Sequence, residues 1–156
     1  MNEEEKSRKE HERRAEIIAR IADKLQETEG YLEEFKNIEI PEFEDYKGDI
    51  KSKAVCERYF EKIIEPLIAL SFLIIRLEKF QSPESEEHAF FILANNNLIS
   101  EDFAKKLKDA KDMRNRIVHN YISVEDIIVY KAVTEEIIND AHEFIEIIKK
   151  FLQVKE

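Results

Sequence analysis

A chain of 156 residues with 43% hydrophobic content is about one domain long and has enough apolar side chains for a full core. Its two glycines and three prolines exclude a many-stranded sheet, which consumes turn-forming residues, and the abundance of Glu, Lys, Ile, Leu and Ala points to an all-α fold. The net charge of −10 excludes a protein that coats nucleic acid non-specifically, because that binding is driven by counterion release at many phosphate contacts.

Residues 2 to 16 are nearly all charged and carry no apolar stripe. They predict a solvated helix extension or frayed arm, over residues 1–16, preceding a single helical domain over 17–156. From Ile17, an amphipathic pattern through Ile18, Ile21, Ala22, Leu25, Leu32 and Phe35 predicts a long helix ending near Lys36, with Gly30 as a weak point or kink. Asn37 to Ser52 contains Pro41, Phe43, Tyr46 and Gly48 without periodicity, and reads as an ordered connection pinned by aromatic contacts. Ala54 to Phe80 is apolar over much more than one stripe, which makes it the central helix. Pro66 lies inside it and predicts a kink, with the Lys62 carbonyl left without its usual donor.

Ser82 and Pro83 predict the start of a short helix, the serine as N-cap and the proline at the first helical position, running to about Ala94. Asn95, Asn96 and Asn97 tolerate left-handed backbone and close it, and Ser100 caps the next helix, Glu101 to about Asn120. Ser123 with Asp126 resembles a capping box opening a last helix to about Leu152, lined by Ile127, Tyr130, Ile137, Ile138, Ala141, Phe144, Ile148 and Leu152. The expected architecture is an up-and-down bundle of about five helices.

The single cysteine, Cys56, rules out an internal disulfide and suits a small core residue in a reducing compartment. No apolar run reaches the roughly 18 residues needed to span a bilayer, and the N-terminus lacks the apolar segment of a signal peptide, so a cytoplasmic protein is expected. None of His11, His88, His119 or His142 has Glu three residues before it, which removes a ferritin-like di-metal bundle. His142 and Glu146 are too few for a metal site. Neither metal nor cofactor is implied.

The chemistry concentrates in Asp112 to Tyr121, DMRNRIVHNY. Phe103, Leu107, Ala110, Arg114, Ile117 and Tyr121 share one stripe of a buried helix face, so Arg114 occupies a core slot and its guanidinium must find a partner, water or a cavity. From Glu101 to Tyr121 six basic residues face four acidic ones, a local charge of +2. Asn115 and His119 share a helix edge, whereas Arg114 and His119 lie roughly 140° apart around the helix. Either the arginine wraps round, or the site forms where two helices meet, including the same helix of a second copy across a two-fold axis.

Such a cleft has the parts for RNA cleavage by the neighbouring 2′-hydroxyl: His119 to exchange a proton, Arg114 to hold the phosphate, and Asn115 in support. The competing reading makes Arg114 a buried partner of a carboxylate from another helix, His119 a satisfied helix end and Tyr121 a core residue.

RNRIVHNY fits the R-x-x-x-x-H-x-Y pattern of the HEPN superfamily, and the chain resembles its HepT-like toxins, which are encoded beside a minimal nucleotidyltransferase (MNT) antitoxin. AVCERYFEKIIEPLIAL is similar to that family's central helix and NLISEDFAKKLKDAKDMRN to its approach to the motif, so the resemblance covers about Ile17 to Leu152. It implies a helical homodimer whose paired motifs form a metal-independent ribonuclease site, with Arg114 and His119 catalytic and Tyr121 the residue to which the nucleotidyltransferase attaches AMP. The implied partners are RNA as substrate, the antitoxin and a second copy, with no membrane and no DNA. Met113 stands where many relatives carry an aromatic residue, and the acidic arm is an addition. The rival functions are a non-catalytic helical module binding a nucleotide or the nucleotidyltransferase, and a purely structural bundle.

Overall fold

The computed structural model describes residues 1–119 and 125–155, and the regular elements among them are all helical. In chain order they are α1 (Glu3–Lys36), α2 (Phe43–Tyr46), α3 (Ile50–Glu78), α4 (Glu86–Asn95), α5 (Glu101–His119), α6 (Asp126–Lys131), a π-helical turn (Ala132–Glu136) and α7 (Ile137–Lys155). None of these helices is long and apolar enough to cross a membrane.

Helix α3 is the centre because its sequence is apolar over much more than one stripe, and such a helix has to be covered on several sides. It packs against α1, α2, α4, α5, α7 and the π-helical turn. Phe60, Ile63, Ile64, Leu67, Leu70, Ile74 and Leu77 are at most 1% exposed. The helix starts at Ile50, ahead of the predicted Ala54. Asp49 caps it, accepting from the Lys51 amide at 3.1 Å and the Ser52 hydroxyl at 2.7 Å. Pro66 sits inside α3 without ending it.

The charged N-terminal stretch forms the first turns of α1. Asn2 accepts from the Glu5 amide at 2.8 Å, and Glu3, Glu4 and Glu5 occupy the first turn, where the helix dipole favours negative charge. Burial in α1 begins at Ile17 and the helix ends at Lys36, as its spacing predicts. Before that buried face, Arg13 and Arg14 donate to the backbone carbonyls of Arg76 and Leu77, Arg14 at 3.1 Å. Those carbonyls lie in the last turn of α3, where the ordinary i+4 donors run out; the Arg76 carbonyl also accepts from the Lys79 amide at 3.4 Å.

The connection after α1 is pinned as its aromatic residues suggest, with a short helix added. Tyr46 is buried, the Tyr130 ring stacks 4.8 Å from it and 5.5 Å from Phe43, and the Tyr130 hydroxyl donates to the Pro41 carbonyl at 2.9 Å. The expected helix start at Ser82 is wrong. Ser85 is the N-cap of α4, accepting from the His88 amide at 3.1 Å while His88 Nδ1 accepts from the Glu84 amide at 3.0 Å. This reciprocal pair satisfies two amides at once; Ser82 and Pro83 lie in the stretch between helices.

Asn97, left-handed at φ 64°, follows α4, and Ser100 caps α5 by accepting from the Phe103 amide at 3.0 Å. Beyond α5, Ser123 lies outside the described residues. Glu125 precedes α6 without a side-chain cap, and Asp126 pairs with Lys53 at 2.9 Å. The single last helix expected from sequence is divided by the π-helical turn, where the Thr134 hydroxyl donates back to the Tyr130 carbonyl at 2.6 Å.

Candidate functional site

Helix α5 is fixed by its apolar half. Phe103, Ala104 and Leu107 are buried, the Phe103 ring lies 6.3 Å from Phe144 of α7, and Ser100 holds the first turn. The stripe they define continues to Arg114, which is 8% exposed, so an always-charged guanidinium occupies a position that periodicity assigns to the core.

Three groups hold it there. Arg114 Nε donates to Asn115 Oδ1 at 2.8 Å, Nη1 pairs with Glu65 of α3, and Nη2 pairs with Glu86 of α4 at 2.6 Å. Burial alone would push the arginine pKa down; hydrogen bonds and charge from Glu65 and Glu86 override this and raise it. A second set of ion pairs fastens α4 to α5 nearby, with Lys108 Nζ 3.7 Å from Glu87 and 2.9 Å from Asp112.

Arg114, Asn115, Val118 and His119 line an open cleft of about 470 Å³ whose facing wall is Glu61 and Glu65 of α3 and Glu86 of α4. The arginine and imidazole, set apart around the helix by their spacing, therefore border the same space. His119 and Val118 are exposed at the end of α5. The competing sequence reading is met in one respect, since carboxylates from other helices do neutralise Arg114. The cleft is nevertheless open and shared with the imidazole. Tyr121 lies outside the described residues.

Sequence reasoning missed Glu65 and Glu86. Glu61 and Glu65 are one turn apart on α3, but Glu57, Arg58 and Lys62 beside them are charged as well, so neither stood out in the sequence; Glu86 carried no signal beyond its place near a helix start. Among the described residues no group of three His, Cys, Asp or Glu side chains is arranged to hold a metal ion. Another cavity, about 310 Å³ between α3, α5 and α7, is lined by Phe60, Met113, Ile137 and Asp140, the last with its carboxyl pKa raised chiefly by burial. It contains neither arginine nor imidazole.

The sequence signature of the family described as Ribonuclease HepT-like matches residues 16–150. A tRNA nuclease HepT of Aphanizomenon flos-aquae is 25% identical over 123 residues, covering 79% of this chain and 77% of that protein. An mRNA nuclease HepT of Shewanella oneidensis is 32% identical over 90 residues, 57% of this chain and 66% of that one. In fold the chain is similar to one from the solved structure of a tri-AMPylated Shewanella oneidensis HEPN toxin in complex with MNT antitoxin, at a TM-score of 0.66 and 24% identity over 88% of this chain and 96% of the other. With the motif, the helical fold and the matched span in agreement, this chain belongs to the HepT-like ribonuclease family.

Proposed function

We propose that this protein is a metal-independent endoribonuclease, the toxin of a HEPN/MNT pair, which works as a homodimer with its site shared between two copies. A cognate nucleotidyltransferase silences it by attaching AMP to Tyr121. The observation that carries this reading is that Arg114, Asn115 and His119 border one open cleft. The names of the two nuclease relatives support RNA as the substrate.

In the reaction, a base removes the proton of a ribose 2′-hydroxyl, the oxygen attacks the adjacent phosphorus, and the bond to the 5′-oxygen breaks as that oxygen receives a proton. The products are a 2′,3′-cyclic phosphate and a 5′-hydroxyl. Two copies of His119 in one dimer cleft supply base and acid. Arg114 holds the phosphate and stabilises the charge that develops on it, and Asn115 orients the guanidinium through the Nε bond. AMP on Tyr121, seven residues beyond Arg114 in the chain, adds bulk and negative charge that compete with the RNA phosphate. The similarity in fold to a chain of the AMPylated toxin complex supports this off state.

A non-catalytic module that binds a nucleotide or the nucleotidyltransferase is the second reading, favoured by the pairing of Arg114 with two carboxylates. Incubating the purified protein with bulk tRNA and with transcribed mRNA, with and without chelator, separates the two. We expect chelator-resistant cleavage leaving cyclic phosphate ends, reduced about 10²- to 10⁴-fold in Arg114→Ala and in His119→Ala. Intact RNA throughout would favour the module. Intact-mass measurement after co-expression with the neighbouring transferase tests the off switch, the added AMP mass disappearing in Tyr121→Phe.

A further inference from the structure

We infer that Glu65 and Glu86 are positioning residues of this ribonuclease site, holding the Arg114 guanidinium in the orientation in which its uncommitted N–H groups serve the cleft. The inference rests on the ribonuclease reading and adds two residues to it.

A guanidinium has five N–H donors in one plane. Three of those on Arg114 are engaged by Asn115 on α5, Glu65 on α3 and Glu86 on α4. Anchors on three helices define the plane of the fork and leave two donors for a substrate. The exposures are unequal: the Arg114 side chain is 10% exposed, Glu65 47% and Glu86 41%. The carboxylates would be hydrated without the arginine, whereas the arginine would not be satisfied without them. The arrangement thus serves the arginine.

Glu86 is also held from behind. It is the first residue of α4, where the helix dipole favours a carboxylate, and its turn is capped by Ser85 and tied to α5 through Glu87 and Lys108. An arginine already neutralised by two carboxylates is a weak attractor of free anions but a well-placed donor for charge that develops during reaction. Losing the anchors therefore lowers kcat more than it raises KM.

The test is steady-state cleavage of bulk tRNA by Glu65→Ala, Glu86→Ala and the double variant beside Glu65→Gln and Glu86→Gln, together with ¹⁵N relaxation of the Arg114 Nε–Hε group in the full-length protein. Each single alanine variant is expected to lower kcat about tenfold, and the double about a hundredfold, with KM within threefold. The glutamine variants, which keep an acceptor oxygen, should recover most of the rate. The Nε–Hε group, rigid in the wild type, should become mobile in the single alanine variants, a readout that needs neither cleavage nor a folded double variant. Faster cleavage after alanine substitution would overturn the inference by making the carboxylates a lock, as would an unchanged kcat or an Arg114 that stays rigid. If the wild type leaves both bulk tRNA and transcribed mRNA intact while Arg114 is rigid only with its carboxylates present, the ribonuclease reading fails and the anchoring of the arginine stands.

Discussion

Among the described residues, two places seat arginine between helices, and they do so for different needs. Where α1 passes the end of α3, Arg13 and Arg14 donate to the carbonyls of Arg76 and Leu77, in the last turn of that helix, where carbonyls lose their ordinary i+4 donors. At the other, Arg114 caps no helix carbonyl. It meets two carboxylates and an amide beside an open cleft. The first site completes a helix; the second ties α5 to α3 and α4 beside a cleft, and there a side chain rather than the backbone makes the demand.

That contrast can be broken by stability measurements. Removing both Glu65 and Glu86 leaves a charge that is almost wholly buried, and we expect a loss of about 2–3 kcal/mol by urea denaturation. Arg114→Ala leaves two half-exposed carboxylates that water can hydrate, and should lose only about 1 kcal/mol. Equal losses would mean that the arginine serves the carboxylates as much as they serve it. At the other site, Arg13→Ala combined with Arg14→Ala should lose about 1 kcal/mol for each hydrogen bond given up and leave RNA cleavage unchanged. A fall in cleavage without unfolding would erase the distinction between the two places.

The smallest effect concerns Asp112. Burial raises its carboxyl pKa, but the hydrogen bonds and charges of Lys108 and Lys111 win and hold it below the usual carboxylate range. Because the folded value is the lower one, its contribution is present above the ordinary carboxylate pKa and disappears as pH falls through the folded one. With the side chain 40% exposed, the contribution is below about 1 kcal/mol. The difference in melting temperature between wild type and Asp112→Asn, present at pH 7, should close in acid.

The parts of the fold legible in sequence were those written in one dimension. The end of α1 at Lys36, the left-handed Asn97, the Ser100 cap and the core position of Arg114 all follow from spacing or from the chemistry of one side chain. Ser82 misled because a serine followed by proline looks like a helix start, while the reciprocal bonds of Ser85 and His88 depend on geometry three residues on. Helix α2 is too short to show a period; only the burial of Tyr46 against Tyr130 reveals it. Glu65 and Glu86 were hidden for a further reason: which acid reaches a given arginine depends on how three helices cross.

The π-helical turn at Ala132–Glu136 keeps a long ribbon of side chains in phase. Val129, Val133, Ile137, Ala141 and Ile145 are all buried and recur every fourth residue. In an unbroken α-helix a four-residue repeat drifts by about 40° at each step, so that five such residues would wind about 160° round the axis. The wider turn absorbs a surplus residue within that run, and Ala141 and Ile145 return to the inward side. A feature that periodicity cannot forecast is thus what lets α6 and α7 present one continuous surface to the core.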